Sequence, residues 1–120
     1  MKTRRAPEQE QLALLQGTLD VLILRMLVVG PQHGQGIARA IQDTSEDVLL
    51  VDHGALYPAL QRLEAHQWIA ARWGTSTNNR RARFYRLTRA GRRQLLEQSH
   101  RWRRLAAAMA RVLGPDPAGQ

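Results

Sequence analysis

Apolar residues recur at Leu12, Leu15, Leu19, Leu22, Met26 and Val29 in alternating steps of three and four. That spacing predicts a helix from about Gln9 to Val29 with a heptad-like seam. Leu14, Val21, Ile23, Leu24 and Val28 add further apolar faces, so the helix should be buried on several sides. Gly30-Pro31 ends it, because proline disfavours helical backbone at the residue before it. Ile37, Ala40 and Ile41 predict a short second helix, weakened by Gly34 and Gly36 in its first turn at about 1 kcal/mol each relative to alanine. Val48 to Val51 is a short apolar run that fits either a small strand or a buried connector. A third helix follows, with Leu56, Ala59, Leu60 and Leu63 on one face and His53, Tyr57 and Gln61 on the other. Asp52 is suited to cap its start. Pro58 would crowd the carbonyl of Gly54, so its first turn should be irregular or tightened.

The period then changes. Ile69, Ala71 and Trp73 alternate as in a half-buried strand, a turn-rich tip runs from Gly74 to Asn79, and residues 80–87 make a return strand whose register the tip leaves open. Thr88 can cap a last helix over 89–113, ended by Gly114-Pro115. Leu95, Trp102 and Met109 share one heptad position of that helix, and Leu105 and Val112 the other. Residues 1–8, which include Pro7, should form a flexible arm, residues 9–88 one folded domain, and 114–120 a disordered tail. The expected fold class is mainly α with a small β-hairpin.

Charge changes the picture by where it lies. The chain has 120 residues and a formal net charge of +8. Residues 1–71 sum to −2, whereas residues 72–111 hold 12 arginines against Glu97 alone and sum to +11. A concentrated positive field points to a polyanion, either nucleic acid or an anionic membrane surface. Arginine supplies 17 of the 18 basic residues, which suits bidentate phosphate and base contacts. There are no cysteines, which excludes disulfides, thiol catalysis and Cys-ligated zinc. The longest apolar run is too short for a bilayer, and the basic start lacks a cleavage site. A soluble, cytoplasmic protein with no membrane partner is expected.

No catalyst is visible. His33, His53, His66 and His100 show no metal-ligand spacing, and no serine sits in a nucleophile elbow. Gly34-x-Gly36 has no strand before it and Arg39 where a third glycine would stand, so it does not make a nucleotide loop. No enzyme activity, cofactor or metal is expected. The remaining signals fit DNA. A helix presenting His53, Tyr57 and Gln61 suits the major groove, where these side chains can meet base edges or phosphates. Arg80, Arg81 and Arg83 beside a flexible tip suit backbone or minor-groove contact. Arg62 is placed to pair with Glu64 or a loop acid, or to meet DNA. The seams containing Leu12, Leu15 and Leu19, and Leu95, Trp102, Leu105, Met109 and Val112, predict a homodimer held by the first and last helices. The rival readings are a basic membrane-surface or adaptor protein and a double-stranded RNA binder.

Four segments carry a resemblance. Gly17-Thr18-Leu19-Asp20, His33-Gly34-x-Gly36-Ile37-Ala38, Gly54-Ala55-Leu56-Tyr57-Pro58-Ala59-Leu60-x-Arg62-Leu63-Glu64, and Arg83-Phe84-Tyr85-x-Leu87-Thr88-x-Ala90-Gly91 together resemble the PadR family of bacterial transcriptional regulators, over roughly residues 12–105. The resemblance implies a winged helix-turn-helix dimer that represses a double-stranded operator and releases it on a signal, with His33 also near DNA. In some short members an aromatic on the last helix lines a pore at the dimer centre. Trp102 is the position that could bind such an effector here, its plainer role being dimer packing. Arg101, Arg103 and Arg104 would make a cationic effector awkward, so an anionic or neutral one, or none, fits as well. Gln35 stands where the family usually has tyrosine, which puts any contact of that ring in doubt.

Overall fold

The computed structural model describes residues 18–117. A first helix, α1, is described over residues 18–26 and tightens into a 3-10 turn at Leu27–Val29. After Gly30-Pro31 come a two-residue strand β1 (Gln32–His33), helix α2 (Gly34–Thr44) and helix α3 (His53–Ala65). Strands β2 (Ile69–Thr75) and β3 (Arg81–Leu87) form a hairpin, and α4 (Arg89–Leu113) closes the order. The expected Leu12 and Leu15 contacts and the arm at 1–8 lie outside the described residues.

The hairpin is part of a three-stranded antiparallel sheet in the order β1-β3-β2. The register runs from Ile69 opposite Leu87 to Thr75 opposite Arg81, and Gln32 and His33 pair with Tyr85 and Phe84. Because side chains alternate across a strand, Ile69, Ala71 and Trp73 share a face with Leu87, Tyr85, Arg83 and Arg81. At its base that face is buried through Ile69 and Tyr85. Farther out the same face becomes polar and exposed. One side of the wing therefore runs continuously from core to solvent.

The core draws on every helix. Leu19, Ile23, Leu24 and Leu27 meet Ile37 and Ile41 of α2, and Leu56, Ala59, Leu60 and Leu63 of α3. Two of the expected dimer positions belong to this core. Leu19 is 1% exposed and Leu95 7% exposed within the single chain, which leaves almost no surface for a partner. The seam that Leu95 begins continues outward on α4, where Trp102 is 46% and Val112 86% exposed.

One local expectation is corrected and one alternative is decided. Asp52 sits at the N-cap position of α3, but its side chain makes no capping hydrogen bond. Its carbonyl instead accepts from both Ala55 N, at 3.0 Å, and Leu56 N, at 2.9 Å. The tightening of the first turn is confined to that shared acceptor, and α3 runs unbroken through Pro58. The Val48–Val51 run is not a strand. Ser45 holds it as a connector by accepting from Leu49 N at 3.0 Å, with Leu49 and Val51 packed on the core while Val48 and Leu50 face solvent.

Thr88 does cap α4 as expected, accepting from Gly91 N at 3.0 Å. Its hydroxyl also lies within donating distance of Gln67 O at 2.7 Å and Trp68 O at 3.0 Å, and Thr88 N donates to Trp68 O at 3.1 Å. These bonds fasten the first turn of α4 to the turn before β2, where Gln67 takes a φ of 64°. The winged part and α4 are thus joined at one compact corner.

Candidate nucleic-acid interface

Burying Leu56, Ala59, Leu60 and Leu63 turns the other face of α3 outward, and His53, Tyr57 and Gln61 are exposed there at four-residue spacing. Side chains four apart lie one above the other on a helix. The His53 and Tyr57 rings are 6.0 Å apart and tilted at 49°. Tyr57 leans closely on the first turn of α2: a Cβ at Gly34 would lie 3.0 Å from the Tyr57 hydroxyl, so a larger residue there would push the ring aside by a few tenths of an ångström. The glycine that costs α2 helical propensity therefore leaves the Tyr57 ring its place against α2.

Opposite this face stands the outer part of the wing. Its tip is closed by Ser76 N donating to Arg80 O at 2.8 Å and Asn79 N donating to Ser76 O at 2.9 Å, with Asn79 at φ 63°. The Arg81 guanidinium lies over the Trp73 ring at 4.7 Å from its centroid, a cation–π arrangement. A cleft of about 560 Å³ separates the two sides. It is lined by Gln35, Tyr57 and Gln61 on one side and by Trp73, residues 76–78, Arg80 and Arg81 on the other.

The structure brings most of the expected site residues together. His33, Tyr57, Gln61, Arg80, Arg81 and Arg83 all line this cleft, and His53 stands beside it against Tyr57. Two of them have structural duties as well. His33 caps α2, its Nδ1 accepting from Gly36 N at 3.1 Å, and its ring meets Phe84 edge-on at 5.4 Å. Arg83 donates to Glu64 at 2.8 Å and stands 5.8 Å from the centre of the Tyr85 ring, so it braces the wing against the end of α3. Arg80 and Arg81 form no ion pair among the described residues. Arg62 pairs with neither Glu64 nor a loop acid. It pairs with Asp20 of α1 at 2.8 Å and ties the back of α3 to the first helix.

Burial pushes the Tyr85 phenol above its ordinary pKa, with Arg83 pulling it down and Glu64 and Tyr57 adding to the rise. It stays protonated at neutral pH. Sequence reasoning missed Trp73, Glu64 and Asp20 as parts of this arrangement. Alternation had placed Trp73 on a half-buried face, and only the register with β3 puts its ring under Arg81.

A helix-turn-helix whose second helix shares a cleft with an arginine-bearing hairpin is a winged helix-turn-helix protein. The model of the "Transcriptional regulator PadR-like family" matches residues 23–97, and the chain belongs to that family. Among solved structures it is similar to a transcriptional regulator from Clostridium thermocellum, at TM-score 0.77 and 24% identity over 85% of this chain and 99% of that one. It is also similar to a PadR family transcriptional regulator from Eggerthella lenta, at TM-score 0.75 and 26% identity over 94% and 96%. Bacillus subtilis PadR, solved in complex with operator DNA, aligns at TM-score 0.60 and 23% identity over 68% of this chain and 47% of that one. The family and these neighbours are transcriptional regulators. Among the described residues there is no group of three or more potential metal ligands, and no helix is long and apolar enough to cross a membrane.

Proposed function

We propose that this chain is a homodimeric, sequence-specific DNA-binding protein that represses transcription from a two-fold operator. The observation that carries the reading is the cleft in which Tyr57 and Gln61 of α3 face Arg80 and Arg81 of the wing. A helix face of hydrogen-bonding groups reads base edges in the major groove, while arginines beside it hold the backbone and fix the register. The operator complex of Bacillus subtilis PadR supports a duplex as the partner. The apolar stripe of α4, which leaves the core after Leu95 and continues through Trp102, Leu105, Met109 and Val112, supports α4 as the dimerisation helix. Two copies would set their α3 helices on half-sites about 34 Å apart, one turn of DNA. A flat effector wedged against Trp102 would part the two helices, and the neighbouring arginines favour an anionic or neutral one.

The test is binding to the DNA upstream of the protein's own gene, over a range of salt. Arg81→Ala should weaken binding to operator and unrelated duplex alike and flatten the log–log salt dependence by about one unit, the share of one phosphate contact. Identical slopes for variant and parent would take the wing out of the interface. Preference for phosphatidylserine vesicles or for a double-stranded RNA competitor over the upstream DNA would replace the reading altogether.

A further inference from the structure

Most of the positive charge is not at the cleft. α4 carries seven arginines against Glu97, a net +6, whereas β2, β3 and their turn carry five arginines and no acid. All seven are exposed, and neither ion pair among the described residues involves α4. At about 100° per residue, Arg93, Arg104 and Arg111 fall within about 20° of one line along the helix, on the side opposite Trp102, with exposed His100 also within about 20° of Arg93 and Glu97 about 20° from Arg104. They span about 27 Å of helix axis at 1.5 Å per residue. Arg104 and Arg111 also share a shallow surface groove of about 510 Å³ with Arg101.

Pairing two copies through the apolar stripe turns this line outward. We propose that the outward arginine line of α4 is a second, sequence-independent surface for the phosphate backbone of duplex DNA, engaging DNA that flanks the half-sites. The inference rests on the DNA-binding dimer proposed above and adds a surface to it. Duplex DNA fits better than a lipid surface because the line lies opposite Trp102, and Leu105, the large apolar side chain that shares the groove with Arg101, Arg104 and Arg111, belongs to the stripe that pairing would cover. It fits without base readout because no residue of α4 lines the cleft proposed to take the groove, so these arginines are placed to meet backbone and not base edges.

The test is the combined variant Arg93→Gln, Arg104→Gln, Arg111→Gln, whose sites are exposed, so its melting curve should match the parent's. Both are titrated with a minimal operator of about 20 base pairs and with the same operator centred in about 60 base pairs, over a salt series. The parent should bind the long duplex more tightly and with the steeper salt slope. The variant should lose two to three units of slope and about tenfold or more in affinity on the long duplex, since each phosphate contact is worth about 0.9 of a unit. On the minimal operator it should stay within about twofold of the parent. Equal slopes on the long duplex, or an equal loss on both lengths, would overturn the proposal. So would loss of binding to phosphatidylserine vesicles with DNA binding unchanged, which would assign the line to lipid. Operator binding with no dependence on length removes this inference alone, whereas a parent that binds neither duplex removes the DNA-binding reading with it.

Discussion

Gly91→Ala should lower the stability of the fold by about 3 kcal/mol, a large cost for adding one methyl group. A Cβ at this position would lie 2.0 Å from the Trp68 carbonyl oxygen and 2.9 Å from Leu87 Cδ1. The first obstacle is backbone, which cannot rotate away as a side chain can. Relief requires the first turn of α4 to lift off the turn before β2. Lifting would stretch the Thr88 bonds to Gln67 O and Trp68 O and uncover Leu95. Domains of this size have only about 5–15 kcal/mol in hand, so the melting temperature should fall by on the order of 10 °C or more. Urea and thermal unfolding at one fixed protomer concentration, which matters if the protein dimerises, would measure it. Arg89→Ala, exposed on the same turn, serves as the comparison and should be nearly silent. A Gly91→Ala protein within about 0.5 kcal/mol of the parent would mean that the corner is far looser than its geometry.

The same corner shows what the sequence makes legible. The bounds of α4 could be read because their causes are local: Thr88 accepts from the amide three residues on, and Gly114 takes a φ of 66° that suits glycine. The back of α3 was legible because helical spacing alone decides which residues share a face. β1 was not, since Gln32–His33 has no alternation and exists only because Tyr85 and Phe84, fifty residues away, offer it a ladder. Leu19 and Leu95 misled for a related reason. Steps of three and four mark a face that must be covered, but they do not say whether the domain or a second copy covers it. The wing arginines could be counted but not sorted. Arg83 is neutralised by Glu64, nineteen positions earlier, and Arg81 rests on Trp73 through a register that the turn-rich tip left open. Periodicity reports faces, and pairing between distant segments decides what each face meets.

Two neighbours on α3 separate holding the fold from the proposed reading of DNA. Leu60 is 1% exposed in the core, and Leu60→Ala should cost about 2–5 kcal/mol through lost burial and the cavity left behind. Gln61, the next residue, is exposed in the cleft, and Gln61→Ala should leave stability within about 0.5 kcal/mol. Their effects on DNA should be reversed in kind. Leu60→Ala should reduce the active fraction while the folded remainder keeps the parent's ranking of operator variants, because Leu60 touches no base. Gln61→Ala should change that ranking by about 1–3 kcal/mol at one base pair per half-site, the scale of a lost bidentate contact. Unfolding curves and competition against single-base operator variants supply both readouts. If Gln61→Ala weakens every operator variant equally, this side chain does not read bases. The burden of sequence recognition would then move along the face to Tyr57 and His53.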